Sequence, residues 1–142
     1  MRWWRWGRPH WERYAFRETP KSLREQAILV DAIRPLVTPE TRLVDVGCGN
    51  GRLLQQLAPC RYIGIEYGSL TNQTRKTWPD RCFLNASIIA LPLRSQSSDL
   101  VVAQGVLENL ADWSTALSEC VRVARDRVLV TLRLAETASS YR

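Results

Sequence analysis

Short apolar runs alternate with longer, more polar stretches from Arg42 onward. The runs are rich in valine, leucine and isoleucine, which is typical of strands buried on both faces of a parallel sheet. We expect strands at residues 43–46, 62–65, 82–84, 99–103 and 128–132, and helices at residues 51–57, 69–78 and 111–124. This alternation predicts an α/β fold: a doubly wound, mostly parallel sheet of about five strands with helices on both faces.

The first twenty residues differ in composition from the rest, because tryptophan and arginine are interleaved there. Three interpretations of this Arg/Trp-rich segment remain open: an ordered lid over a pocket, a contact with nucleic acid, or a contact with a membrane surface. A helix is expected over residues 21–37, with Pro20 as its first-turn proline and Pro35 near its end. We expect residues 1–142 to form one domain, with residues 42–134 as its core.

The most informative stretch is a glycine-rich turn at residues 45–51, DVGCGNG, between a predicted strand and a predicted helix. Gly47 and Gly49 allow a tight turn and a close approach of the backbone to a ligand. A dinucleotide-binding turn, G-x-G-x-x-G, would need glycine where Arg52 stands, whereas the third glycine here is Gly51. Asp45 would repel a pyrophosphate, so the turn favours a ligand with a cationic amino-acid end.

A second acidic residue, Glu66, ends the second predicted strand. It lies about 20 residues after the turn begins, where an acid meets the ribose hydroxyls in Rossmann-type folds. Two carboxylate oxygens can accept hydrogen bonds from both hydroxyls of an unphosphorylated ribose. The glycine turn, followed by an acid at this spacing, predicts a ligand that contains a nucleoside.

Several segments resemble the motifs of one enzyme family. Residues 43–51 resemble motif I of the class I, Rossmann-like, S-adenosylmethionine-dependent methyltransferases, and residues 62–66 resemble the motif that follows. Similar family segments are found at residues 91–93 with 98–102, at residues 106–110 and at the pair Arg122-Val123. The resemblance implies a small, C-terminally short methyltransferase with S-adenosyl-L-methionine as its cofactor.

The resemblance also implies a role for each matching residue. The glycine turn would contact the methionine part of the cofactor, Asp45 would attract its ammonium group, and Glu66 would hold its ribose. Tyr67 would lie beside the adenine, Ser87 and Ile88 would line the adenine edge, and Gln104 would face the methionine end. The expected cofactor-binding residues are Asp45, Gly47, Cys48, Gly49, Gly51, Glu66, Tyr67, Ser87, Ile88 and Gln104.

The chain departs from the family pattern at three places. Ser87 stands where relatives often have aspartate, Asn109 stands where many have histidine, and the usual Pro-Gly-Gly turn before the last strand is missing. Methyl transfer depends chiefly on positioning the nucleophile, so we expect no compact catalytic motif. The polar candidates near the transferred methyl group are Gln104, Glu108, Asn109, His10 and Tyr14.

Composition narrows the class of protein further. The chain of 142 residues is 45% hydrophobic and 24% charged, as in ordinary globular domains. It has no apolar window long enough to cross a membrane and no signal-peptide pattern, so we expect a cytoplasmic protein. Its four cysteines form no C-x-x-C pair and its one histidine is His10, so we expect reduced thiols and no metal site. The net charge of +6 fits either an anionic partner or a solvated surface.

These observations favour a methyltransferase that acts on a small-molecule acceptor. An RNA- or tRNA-modifying methyltransferase is the alternative that the charge permits, although nucleic acid is not the favoured partner. A non-catalytic relative that binds S-adenosylmethionine is a further alternative, because of Ser87 and Asn109. The strand at 128–132 would lie at the sheet edge with unpaired backbone groups, so we expect a homodimer through that edge, with the Arg/Trp-rich segment as a competing cover.

Overall fold

A computed structural model describes residues 20–132, with side chains from residue 23 onward. Its helices are α1 (Pro20–Ile33), α2 (Leu70–Thr77) and α3 (Trp113–Val123). Its strands are β1 (Arg42–Val46), β2 (Arg61–Glu66), β3 (Cys82–Asn85), β4 (Ser98–Gln104) and β5 (Ala124–Thr131). The strands form one sheet in the order β3-β2-β1-β4-β5, and every pairing is parallel. The predicted α/β fold with a sheet of about five strands is confirmed.

Each face of the sheet packs against a different helix, because side chains alternate between the two faces along a strand. On one face, Leu43 and its neighbours meet α1 through Leu29 and Ile33. On the other face, Val44 and its neighbours meet α3 through Cys120. The helices therefore lie on both sides, as predicted for a doubly wound sheet.

The helix predicted at residues 51–57 is wrong. The chain forms only a turn and a 3₁₀ segment, Leu54–Gln56, between β1 and β2. Gly51 has φ of +77°, in the left-handed region, so an α-helix cannot begin there. The segment is also too short to support a helix before Pro59, since isolated short helices are marginal. The glycine turn therefore has no long helix behind it to present N–H groups to a ligand.

The connection from α3 to β5 differs in its bounds from the prediction. Helix α3 begins at Trp113, with Asp112 as the N-cap that accepts a hydrogen bond from the Thr115 N–H at 3.1 Å. It ends at Val123, and β5 starts at Ala124, four residues before the predicted start. No loop separates the two elements, which agrees with the missing Pro-Gly-Gly turn.

The strand order reverses its direction at β1, because β2 lies on one side of β1 and β4 lies on the other. In open parallel sheets, ligands bind outside the carboxyl ends of the strands at such a point. In the described part of the chain, β5 pairs only with β4 and therefore lies at the edge. None of the helices described here is long and apolar enough to span a membrane.

Candidate cofactor-binding site

The glycine turn is fixed to the neighbouring strand at the carboxyl end of β1. The N–H groups of Gly47 and Cys48 both donate to the carbonyl of Ile65, at 2.8 and 3.1 Å. Gly47 and Gly49 have φ of +73° and +55°, a conformation that favours glycine. The glycines are thus required by the backbone path itself, as their spacing predicted.

Glu66 connects the turn to the end of β2. One of its carboxylate oxygens accepts from the Gly49 N–H and the other from the Tyr67 N–H, both at 2.8 Å. The residue is only 8% exposed, so these bonds orient the carboxylate firmly. A carboxylate offers about four acceptor positions, so the same group can also receive hydroxyl donors from a ligand.

A cavity of about 170 Å³ opens beside Glu66. Its walls bring together five of the predicted cofactor-binding residues, which are Gly47, Glu66, Tyr67, Ser87 and Ile88. The remaining walls are mostly apolar and come from the end of β1, the β3–β4 connection and the segment before α3. Cavities for a whole drug-sized ligand measure about 300 Å³ or more, so this volume suits part of a cofactor, such as its nucleoside.

Val106 closes the cavity at the glycine turn. A Cβ atom added at Gly47 would overlap the Val106 side chain, which also lines the cavity. Only glycine therefore allows the segment after β4 to approach the turn this closely.

The Asp45 carboxylate does not line this cavity. It shares the strand face of Leu43, is 3% exposed, and accepts a hydrogen bond from the Tyr62 hydroxyl at 2.7 Å. Burial raises the pKa of Asp45 to about 7; the Tyr62 hydrogen bond lowers the pKa and nearby Glu66 raises it. Any attraction that Asp45 exerts on a cationic ligand must therefore act from beneath the turn.

Four other predicted residues lie outside the cavity walls. Gly49 lies in the turn itself, where its N–H donates to the Glu66 carboxylate at 2.8 Å. Cys48 packs in the core on the α1 face, where burial raises the pKa of its thiol. Gly51 packs against Trp78, leaving no room for a side chain. Gln104 ends β4 and is half-buried.

The polar residues expected near the transferred methyl group have different surroundings. The Asn109 amide donates to the Gly105 carbonyl at 2.8 Å, so it stabilises the segment after β4. Within the described structure, Oε2 of Glu108 is buried and has no hydrogen-bond partner. His10 and Tyr14 lie outside the described residues, as does the rest of the Arg/Trp-rich segment before residue 20. The described residues contain no cluster of three side chains able to hold a metal ion.

A half-buried ion pair supports the β3–β4 connection, which carries Ser87 and Ile88, and sequence reasoning missed it. Arg122 pairs with Glu119 at 2.6 Å and donates to the carbonyls of Leu91 and Leu93, while Glu119 accepts from the Leu91 N–H at 2.8 Å. These bonds fix the chain just after Ser87. An i,i+3 pair on a helix usually indicates a solvated face, so the sequence carried little signal for this role.

The comparisons agree with this geometry. Residues 44–131 match the methyltransferase domain family, from β1 to the end of β5. The chain belongs to this family. The methyltransferase domain is also 34% identical over 86 residues to a probable S-adenosylmethionine-dependent methyltransferase of Mycolicibacterium smegmatis. That alignment covers 58% of this chain and 34% of the relative.

Solved structures share the fold at lower identity. The methyltransferase that forms a complex with the Trm112 activator in Haloferax volcanii has a TM-score of 0.66 and 22% identity, over 84% of this chain and 57% of that one. The [4+2]-cyclase SpnF has a TM-score of 0.62 and 20% identity, over 78% of this chain and 44% of that one. The methyltransferase domain thus spans about a third of the curated relative and about half of these two structures.

Proposed function

We propose that the chain forms the S-adenosyl-L-methionine-binding core of a methyltransferase with a small-molecule acceptor. The observation that carries the proposal is the Glu66 carboxylate, held by the glycine turn at the wall of a largely apolar cavity. A ribose needs a fixed acceptor of this kind, and an adenine ring needs apolar walls. The family of the domain and the name of the M. smegmatis relative support the same cofactor.

The chain's own residues would hold this cofactor by its two ends. Glu66 would accept from the ribose hydroxyls, Tyr67 would lie beside the adenine, and Ser87 with Ile88 would line the adenine edge. The methionine end would extend towards Gly47 and Gln104. When bound, the cofactor supplies an electrophilic methyl group on a sulfonium, and the protein positions an acceptor in line with it.

Glu108 is the strongest candidate for an acceptor-side role. Its buried Oε2 has no hydrogen-bond partner among the described residues, and an acceptor atom left in this state costs free energy unless a ligand pairs with it. Asn109 is already engaged by the backbone, so we assign it a structural role. A donor on the methyl acceptor, such as an amine or hydroxyl, would satisfy Glu108.

A methyl-transfer assay tests the proposed function. The purified protein is incubated with S-adenosylmethionine and a panel of small amines, phenols and carboxylic acids, and S-adenosylhomocysteine is quantified. Formation of this product with a small molecule supports the proposal, whereas formation with RNA alone would assign the domain to nucleic-acid modification. Cofactor binding without turnover on either panel would favour the non-catalytic interpretation.

Glu66→Gln tests the site itself. Loss of a charged acceptor should weaken cofactor binding by about 2 kcal/mol, or roughly thirtyfold in Kd. Glu40→Gln is the matched control, because Glu40 is an exposed acid just before the amino end of β1, whereas the cavity lies at the carboxyl end, and it pairs only with Arg61 in the described structure. Equal affinities for the two folded variants would remove Glu66 from the site.

We also propose a homodimer through the edge of β5. This strand pairs on one side only in the described structure, and residues 128–131 are half-buried and mostly apolar. A second copy could pair antiparallel with this edge across a two-fold axis. Light scattering that gives twice the chain mass supports the dimer, and a monomeric mass overturns it.

A further inference from the structure

Two buried polar groups lie beneath the glycine turn, on the sheet face opposite the cavity. Asp45 of β1 and Tyr62 of β2 are 3% and 5% exposed, and their side chains meet at 2.7 Å. Tyr62 also packs edge-on against Phe83 with 5.9 Å between ring centroids, which fixes the direction of its hydroxyl. Tyr62 therefore brings a hydroxyl donor into an otherwise apolar strand face, where it reaches the carboxyl group of Asp45.

The hydrogen bond from Tyr62 opposes the effect of the surroundings on the charge of Asp45. Burial disfavours the carboxylate, and the negative charge of nearby Glu66 disfavours it further. Tyr62 acts in the opposite direction, and its own pKa is raised well above the usual 10, so the hydroxyl stays protonated and able to donate. Two thiols also lie near the pair, Cys48 and Cys60, and burial raises the pKa of each, which keeps them neutral. No cationic side chain of the described residues contributes to the shift at Asp45.

We propose that Tyr62 is a positioning residue whose hydrogen bond favours the ionised form of Asp45 beneath the glycine turn, and so sets the pH range in which the site binds the cationic end of its ligand. The inference rests on the proposed function, since it takes the ligand to have an ammonium group. Asp45 and Glu66 then provide two negative charges around the turn, one below it and one at the cavity wall. A phenylalanine at position 62 would preserve the packing and remove only the donor.

The test is a pH series of ligand affinity for wild type and Tyr62→Phe. S-adenosylhomocysteine is the probe, because it carries the ammonium group and lacks the labile sulfonium. The wild-type affinity should rise with pH through about 7, where Asp45 ionises. Losing one hydrogen bond to a charged acceptor should move this midpoint up by about one pH unit, so that the variant binds about fivefold more weakly at pH 7. The affinities of wild type and Tyr62→Phe should converge near pH 9. Titration of the ligand's own ammonium group affects both proteins equally and therefore cancels in the comparison.

Three controls separate this role from a purely structural one. Adenosine lacks the amino-acid end, so its affinity should be the same at every pH and in both proteins. Thr74→Val removes another buried hydroxyl, which donates to the Gly49 carbonyl at 2.6 Å, but leaves the ionisable groups in place and should not move the midpoint. Asp45→Asn should abolish the pH dependence of binding. The double variant with Tyr62→Phe should show no pH dependence either. Carbon NMR of labelled aspartate follows the Asp45 carboxyl directly, without ligand.

Each outcome is decisive. Superimposed pH profiles for wild type and Tyr62→Phe would overturn the inference and leave the proposed function standing, as would an equal shift for adenosine. If Tyr62→Phe does not fold, a pH profile of Asp45→Asn identical to that of wild type overturns the inference, and a flat profile supports it. Failure of wild type to bind S-adenosylhomocysteine at any pH would overturn the proposed function and the inference with it.

Discussion

The buried Asp45 should make stability depend on pH, and Asp45→Asn should remove that dependence. The pKa of Asp45 is raised from 3.8 to about 7, chiefly by burial. Between these two pH values the folded protein holds a proton that the unfolded chain has released. The free energy of unfolding must therefore fall as pH rises from about 4 to 7, and level off above.

The size of this effect follows from the difference between the two pKa values. One pKa unit corresponds to about 1.4 kcal/mol, so a rise from 3.8 to about 7 corresponds to roughly 4 kcal/mol. The residue is only 3% exposed, so solvent screening reduces this value little. Asparagine has nearly the same shape and can still accept from Tyr62, but it does not titrate.

Urea unfolding followed by tryptophan fluorescence, repeated from pH 4 to pH 8, measures the effect. The quantity of interest is the difference in unfolding free energy between wild type and Asp45→Asn, because contributions from other titrating groups cancel. This difference should change by roughly 4 kcal/mol in favour of the variant as pH rises through the window. A difference that stays constant with pH would refute the reasoning, since Asp45 would then ionise alike in both states.

Three further predictions concern Asp99 at the amino end of β4, Gly47 in the glycine turn and Ser87 in the cavity wall. Asp99→Asn should destabilise the protein at pH 7, because hydrogen bonds from Arg42 lower the pKa of Asp99 to about 2. The difference in unfolding free energy between wild type and this variant, measured with urea, should shrink as pH falls from 4 towards 2. Gly47→Ala should cost at least about 1 kcal/mol of stability and most of the cofactor affinity in titration, since φ is positive and Val106 fills the space. The half-buried Gly68, with φ of +86°, gives the control for backbone strain alone. Ser87→Asp should strengthen adenosine binding about fivefold in calorimetry by offering a charged acceptor to the adenine amino group, and weaker binding would place Ser87 away from that group.

Much of the fold could be predicted because the signal is local. The apolar runs that became β1, β2 and β4 are uniform enough to indicate buried strands, and the apolar face of α3 recurs at helical spacing. The segment after Gly51 was mispredicted because its leucines resemble a helix, whereas in the structure Gly51 has a positive φ and packs against Trp78. Tertiary packing of that kind leaves no trace in periodicity.

The site was predictable only in part. Glu66 and the glycines follow from motif spacing, whereas Ser87 and Ile88 were expected only from the family resemblance, because they reach the cavity through a loop that is held by Arg122 and Glu119. Strand alternation already placed Asp45 on the face of Leu43, so its distance from the cavity could have been foreseen. The hydrogen bond from Tyr62 to Asp45 could not be foreseen, because a tyrosine inside an apolar strand usually serves only as part of the core.

Calorimetric titration of the purified protein with S-adenosylmethionine, S-adenosylhomocysteine and NAD tests the central claim most directly. Both sulfur-containing ligands share the ribose and the cationic end that Glu66 and Asp45 would recognise, whereas NAD brings a pyrophosphate that these acids would repel. The account predicts saturable binding of the first two ligands and no binding of NAD. Tight binding of NAD, with no response to either sulfur-containing ligand, would contradict it.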